Sequence, residues 1–328
     1  MTPVRGEFAF IEALAKQAAR TPEALGLTDD GAVLWIDGGR KLVMAADMLQ
    51  AGVHTMPNAS PAQIASKALR TNLSDLAAMG AKPAFYLSTI SWPGAPSDDD
   101  MQSLVQALAQ DQERFGIALV GGDTICGQGP FTISITVLGW AEGPLLRRTG
   151  AQKEDDIWVS GTIGDGYLGL AVAQGRACGL SNARQEHVLS RYEYPEPRLT
   201  LGQALARIAH CGLDVSDGLI ADAEHLAKAG QCALVLDPLR VPLSEAGRQW
   251  IKAQTDTHGA RETLMGGGDD YELLFCAPRQ DREKIIALSH SLDVSLTRIG
   301  KVIVGEGVHL HKGDGIRKVA GRSGFTHF

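Results

Sequence analysis

What most constrains this chain is where its aspartates fall: at the ends of short apolar runs and in glycine-flanked turns. They are Asp29-Asp30 in GLTDDGAVL, Asp47 in LVMAADML, Asp75 in NLSDLAAMGA, Asp123 in ALVGGDT, Asp214 and Asp217 in LDVSDGL, and Asp269-Asp270 in GGGDDYELLF. Each alone reads as a cap or turn residue, because an Asp side chain bonds nearby backbone and tolerates tight turns. As a set they need partners. Asp47 ends an apolar strand, where an unpaired carboxylate facing inward is costly to desolvate. Asp75 lies in an apolar helical stretch, with Asn72 three residues earlier on the same face. In Leu213–Asp217, strand geometry puts Asp214 beside Ser216 and helical geometry puts Asp214 beside Asp217, so polar groups converge either way. Clustered carboxylates repel one another and require cations. An all-oxygen set favours a hard ion such as Mg2+, which bridges carboxylates to phosphate oxygens. No cluster of His and Cys competes for a transition metal.

The glycines extend this reading. Gly121-Gly122 follows a short apolar strand and allows close approach of a phosphate to backbone N–H groups. Gly266-Gly267-Gly268 reads either as a second such place or as a flexible turn. Gly161-Thr162-Ile163-Gly164-Asp165-Gly166, between a strand and a helix, has the outline of a phosphate loop but lacks the Gly-Lys-Ser/Thr ending and the Gly-x-Gly-x-x-Gly spacing. There is no P-loop, protein-kinase signature set or dinucleotide fingerprint.

Hydrophobic periodicity predicts a mixed α/β chain. A helix is expected over Glu7–Arg20. Strands are expected at Ala32–Ile36 and Lys41–Asp47, joined by the turn Asp37-Gly38-Gly39. A helix from Pro61 to Met79 starts on a Ser60 cap and stops at Gly80. Strand Phe85–Ser91, helix Ser97–Phe115, and strands Ile117–Val120 and Phe131–Trp140 follow. A polar turn near Gly150–Asp155 opens a second unit: strand Asp156–Ser160, helix Tyr167–Ala173, strand Leu213–Val215, helix Gly218–Ala229, and strands Cys232–Leu236 and Glu272–Ala277. The segment Arg176–Tyr194 gives no clear period. At 328 residues the chain fits two domains, divided here as 1–149 and 150–328. A net charge of −7 argues against nucleic acid or an anionic membrane as partner. Five scattered cysteines with no Cys-x-x-Cys pair, and no apolar leader at the start, point to a reduced, cytoplasmic setting without zinc. No apolar run is long enough to span a bilayer.

Taken in order, Gly6-Glu7-Phe8, LTDDGAVL, GVH, KALRTNLSDLAAMGAKP, GGDT, RTGA, LDVSDGL, GGDDYELLF and the closing Gly324-Phe325-Thr326-His327-Phe328 resemble the thiamine-monophosphate kinases, within the aminoimidazole ribonucleotide synthetase superfamily. The resemblance covers nearly the whole chain, and NLSDLAAMGA and GGDDYELLF are its most specific strings. It implies a two-domain α/β (α+β) fold of the aminoimidazole ribonucleotide synthetase type. The N-terminal domain would contribute barrel-forming strands to a homodimer interface, and the active site would lie in the cleft between domains. It also implies ATP-dependent phosphorylation of thiamine monophosphate to thiamine diphosphate, the last step in making that coenzyme.

Carried over position by position, Asp30, Asp47, Asp75, Asp123 and Asp214 look like magnesium ligands, with Asp217 serving a further ion. Gly122, Asp123, Arg148 and Ser216 look like ATP contacts, and His54, Asp269 and Phe325 like contacts to thiamine monophosphate. Ala45 and Ala46 stand at implied metal positions where the family commonly has two hydroxyl residues: donation through backbone carbonyls leaves the alanines harmless, and donation through side-chain oxygens means an ion lost or weakened. Thr55 replaces a common Phe, Asp269 a common Glu, and Thr326 a common Asp. The alternatives are another ATP-dependent enzyme of the superfamily with a different phosphate acceptor, a non-catalytic nucleotide-binding relative, and a metal-dependent phosphohydrolase.

Overall fold

A computed structural model describes residues 21–36, 39–176, 179–313 and 315–319, with residues 11, 12, 15 and 16 near the start. Most of the helix expected over Glu7–Arg20, the turn residues Asp37 and Gly38, Cys178 and the closing string with Phe325 and Thr326 lie outside the described residues.

The first half is a five-stranded sheet of β1 (Ala32–Ile36), β2 (Arg40–Gln50), β3 (Lys82–Trp92), β4 (Ala118–Cys126) and β5 (Thr132–Ala141), in the order β1-β2-β5-β3-β4. Only the β3–β4 pair is parallel. Alternation decides which face is covered: Ile133, Ile135 and Val137 of β5 are fully buried, while Thr132, Ser134 and Thr136 between them are not. Helix α1 (Pro61–Ala78) lies on the buried face and α2 (Asp98–Phe115) packs on α1. The Ser60 hydroxyl accepts from the Gln63 N–H at the start of α1, and Gly80, at φ 69°, turns the chain out of it.

The second half is a seven-stranded sheet of β6 (Asp156–Ser160), β7 (Cys211–Asp214), β8 (Ala233–Leu236), β9 (Leu273–Ala277), β10 (Leu296–Ile303), β11 (Gly307–Lys312) and β12 (Gly315–Lys318). Its order is β12-β11-β8-β10-β6-β9-β7. Strands β6 to β9 are buried along their whole length, which is why they read as unbroken apolar runs. The helices between them are α3 (Asp165–Ala173), α4 (Asn182–Glu193), α5 (Leu199–Leu205), α6 (Leu219–Gly230), α7 (Glu245–Lys252), α8 (Thr257–Gly266) and α9 (Arg282–Leu292). The two halves share one core: Leu201 and Leu205 of α5, with Trp158 and Phe275, join the cluster built on α1. Gly202 makes this close approach possible, since a Cβ there would sit 1.9 Å from the Ala77 carbonyl oxygen.

Two expectations change. The strand expected to stop at Val120 runs on to Cys126, because its backbone pairs with β3 from Ala118↔Phe85 to Cys126↔Trp92 whatever its side chains. Gly121 and Gly122 therefore lie in an edge strand and not in a loop, with β3 beside one backbone edge only. Glycine at 122 is required by packing, as a Cβ would lie 1.8 Å from the Ser88 carbonyl oxygen. The unread segment Arg176–Tyr194 holds α4, whose signal is weak because only Val188 and Tyr192 along it are buried. Cys211, Cys232 and Cys276 are buried free thiols and Cys126 is exposed. Among the described residues no helix is long and apolar enough to cross a membrane.

Candidate functional site

Three of the sequence-marked aspartates meet where α1, the loop before β1 and the end of β7 converge. Carboxylate oxygens of Asp30, Asp75 and Asp214 all lie within 4.8 Å of one another. Asp75 comes from α1, one turn before its end, and Asp214 is the last residue of β7. The Ser74 hydroxyl donates to Asp214 Oδ2 at 2.6 Å, tying α1 of the first half to β7 of the second. Asp30 is the most informative member. Its Oδ1 accepts from the Arg148 guanidinium, while its buried Oδ2 has no hydrogen-bond partner. An orphaned carboxylate oxygen buried beside two more carboxylates is a costly arrangement without a cation. The all-oxygen donor set fits a hard divalent ion such as Mg2+.

The electrostatics agree. Burial raises the Asp75 carboxyl well above its ordinary range, and the charges of Asp47, Asp214 and Asp30 raise it further. Burial likewise pushes Asp214 up to about 7, with Asp30 adding to the rise and the Ser74 hydrogen bond opposing it. Burial also raises Asp30, against the pull of Arg148. The folded state thus holds protons on these groups that the unfolded chain has released. In the metal-free protein the Asp214 contribution is full below about pH 4 and is lost as pH rises through about 7, and Asp75 and Asp30, raised in the same direction, add to the loss as pH rises. The Tm in EDTA is expected to fall by about 5 °C between about pH 5 and about pH 8, and added Mg2+ to reverse the fall. Differential scanning fluorimetry reads this directly; a flat or rising Tm in EDTA would sink the repulsion argument.

Beside the cluster opens a cavity of about 910 Å3, bordered by Asp47, His54 and Thr55 of the first half and by Tyr192, Ser216, Asp217, Asp269 and Tyr271 of the second. Asp47 points from β2 to the α1 side, and Asn72 Oδ1 accepts from its N–H at 2.9 Å. The Asp47 side chain is open to the cavity, yet the protein around it and the Asp30 charge still raise its carboxyl. Ala45 is buried toward α1 and Ala46 faces the opposite side. Pairing with β1 stops at Met44, so one backbone edge of Ala45–Asp47 has no strand beside it. His54 sits in the turn after β2, its Nδ1 accepting from the Gln50 N–H at 3.1 Å.

Asp217 lies within 4.8 Å of Asp222 and His225. Asp222, unmarked in the sequence reading, accepts from the Asp217 and Gly218 N–H groups at 3.1 Å each. Arg147 and Arg148 divide their roles. Arg147 pairs with Asp29 at 2.6 Å, and Arg148 pairs with Asp30.

Two marked features stand apart. Asp123 is on β4 and does not border the cavity. By register it shares a sheet face with Met48, Ser134 and Thr89, the face turned away from α1. Its strand is the third neighbour of β2, roughly 14 Å away at ordinary strand spacing. The Gly161–Gly166 loop is also not free for a phosphate. The buried Asp270 carboxylate accepts from Gly164 N at 2.7 Å and Gly166 N at 3.0 Å, filling the amides at the start of α3. The adjacent aspartates therefore diverge, Asp270 into the protein and Asp269 toward the cavity.

With this geometry in view, the relatives are informative. The description "AIR synthase related protein, N-terminal domain" matches residues 28–141, and "AIR synthase related protein, C-terminal domain" matches residues 152–312. The thiamine-monophosphate kinase of Caulobacter vibrioides is 40% identical over 304 residues, covering 92% of this chain and 85% of that one. The chain belongs to the thiamine-monophosphate kinase family. Among solved structures, the family member from Stenotrophomonas maltophilia K279a is 39% identical with a TM-score of 0.77, covering 92% of this chain and 94% of that one. A structure described as AaThiL complexed with AMPPCP and TMP is 27% identical with a TM-score of 0.85, and covers 100% of both chains. The family's two-domain fold is thus the fold of this chain.

Proposed function

We propose that this protein transfers the terminal phosphoryl group of ATP to thiamine monophosphate, giving ADP and thiamine diphosphate. One observation carries the reading: three converging carboxylates, one with an orphaned buried oxygen, at the edge of a cavity that two halves of the chain build together. Family membership, and a relative described with AMPPCP and TMP bound, support it.

Asp30, Asp75 and Asp214 would hold Mg2+, joined by Asp47 and the Ala45 and Ala46 carbonyls, with Asp217 at a further ion. An ion held by these residues would supply positive charge to offset the repulsion between the two anionic reactants. Arg148, kept in place by Asp30, and Ser216 would face the nucleotide, while His54 and Asp269 would face thiamine monophosphate; Phe325, the third expected contact, lies outside the described residues. The accepting phosphate has a second pKa near 6 and is about nine-tenths dianionic at pH 7, so no general base is required. Direct transfer without a phospho-enzyme follows.

Residues 1–149 would form the dimerising unit and 150–328 the unit that completes the cleft. The dimer would use the uncovered face of the five-stranded sheet, where Met48 (56% exposed), Phe85 (41%), Leu87 (41%) and Ile125 (58%) leave apolar surface open. Asp123 and Gly122 lie on that open edge, far from their own chain's cluster, so they serve the partner's site in a symmetric dimer. A cytoplasmic homodimer is the form expected to work.

The test is product formation from purified protein, ATP, Mg2+ and thiamine monophosphate, resolved by chromatography. Thiamine diphosphate with matching ADP, absent under EDTA, is the expected result. Phosphate released from thiamine monophosphate without ATP use would identify a phosphohydrolase instead.

A further inference from the structure

Lys67 lies inside α1, and only 1% of its side chain is exposed. Its ammonium nonetheless reaches three groups that border the cavity. It stands 2.9 Å from Asp269 Oδ1, donates to the His54 carbonyl at 3.3 Å, and sits 3.7 Å from the centroid of the Tyr192 ring. The Tyr192 hydroxyl donates to the same His54 carbonyl at 3.3 Å. Lys67 itself is not part of the cavity lining. These contacts join the turn after β2, helix α4 and the loop before β9 into a single wall.

A buried lysine is an expensive way to fill that space. Desolvation lowers its pKa, with the Asp269 charge opposing the shift, and a leucine or methionine would occupy similar volume without the penalty. The backbone beneath Asp269 is also constrained. Asp269 and Tyr271 adopt left-handed φ values of 68° and 51°. Their N–H groups bond to Ser216 O at 2.9 Å and Val215 O at 2.8 Å, while the Tyr271 hydroxyl donates to Asp269 Oδ1 at 3.2 Å. The outcome is a carboxylate held from several sides, with 28% of its side chain open.

We infer that Lys67 is a positioning residue for the phosphoryl acceptor, holding the Asp269 carboxylate and the His54 turn at fixed spacing so that they receive thiamine monophosphate as one surface. This rests on the proposed reaction. Because Lys67 acts through Asp269, its removal is felt in acceptor binding and not in nucleotide binding.

The experiment is steady-state kinetics of the full-length protein, varying thiamine monophosphate at saturating ATP and Mg2+, then the reverse. Lys67→Met is expected to raise KM for thiamine monophosphate about 30-fold, with kcat within about threefold and KM for ATP within about twofold of wild type. Adding Lys67→Met to Asp269→Asn is expected to cost less than about twofold more, since one lesion already breaks the pair. Should Lys67→Met fail to fold, Lys67→Gln keeps a donor for the His54 carbonyl and is expected to give the same split. An unchanged acceptor KM, equal losses for both substrates, or multiplying losses in the double variant would each overturn the inference while leaving the reaction standing. No thiamine diphosphate from wild type would remove the reaction, and the inference with it.

Discussion

Asp75→Asn is expected to lower kcat about a thousandfold while leaving the protein folded, and to raise the Tm of the metal-free form by about 3 °C. The two effects have one cause. Asp75 is pushed up by burial first and then by the charges of Asp47, Asp214 and Asp30. Asparagine is nearly isosteric and uncharged, so the repulsion goes, and with it the carboxylate that the proposed reaction assigns to magnesium. On the proposed reaction, the same repulsion that destabilises the metal-free fold prepares the site for its ion, so relieving it raises stability and lowers turnover together. Circular dichroism and thermal melts in EDTA, beside the kinetics, read both effects. Near-normal turnover at saturating magnesium would remove Asp75 from the mechanism; a lower metal-free Tm would show that its carboxylate is satisfied by the protein alone.

Mixing two inactive variants is expected to restore activity. Asp123 lies on an open strand edge, on the sheet face opposite the one that carries Asp47, and no described contact brings it to Asp30, Asp75 or Asp214. If it works in the partner's site, Asp75→Asn and Asp123→Asn each inactivate a homodimer. A heterodimer, however, holds one doubly damaged site and one intact site. Random exchange of equal amounts makes about half the dimers heterodimers, so about a quarter of wild-type activity returns. Mixing after brief partial denaturation, or co-expression with two purification tags, gives the measurement. No recovery despite proven heterodimers would put Asp123 in its own chain's site and require a large movement of β4.

How much of this was readable in advance follows from the range of each interaction. Helix α1 was readable almost to the residue, because a Ser60-Pro61 start, an apolar stripe and Gly80 are all local signals. Strands β1 and β6 were readable for the same reason. The β4 strand was cut short because Gly121-Gly122 looks like a break, whereas a parallel partner bonds backbone through it. Strands β10 and β12 and helix α4 left little trace, since few of their side chains are buried on a regular period; β11 buries Val308 and Leu310 in alternation, a signal only two residues long.

In the site, Asp30, Asp75 and Asp214 were visible because a carboxylate within an apolar run is conspicuous. Lys67 was equally out of place in its helix and was passed over, as a lone lysine reads as solvated until its neighbours are known. The Gly161–Gly166 loop kept the outline of an anion site, and only the arrival of Asp270, 106 residues beyond Gly164 and 104 beyond Gly166, showed two of its amides to be occupied.

The sequence alone determined the segments with strong local signals, such as α1, β1 and β6, and that costly carboxylates stand at the ends of apolar runs. Those outcomes depend on hydrogen bonds and periodicity within a turn or two of chain. Tertiary structure alone decided which carboxylates meet, which amides are already filled, and which sheet face stays open. Ser74 and Asp214 touch across 140 residues of sequence. Contacts of that span depend on how two sheets pack against one helix, and no local pattern encodes the distance.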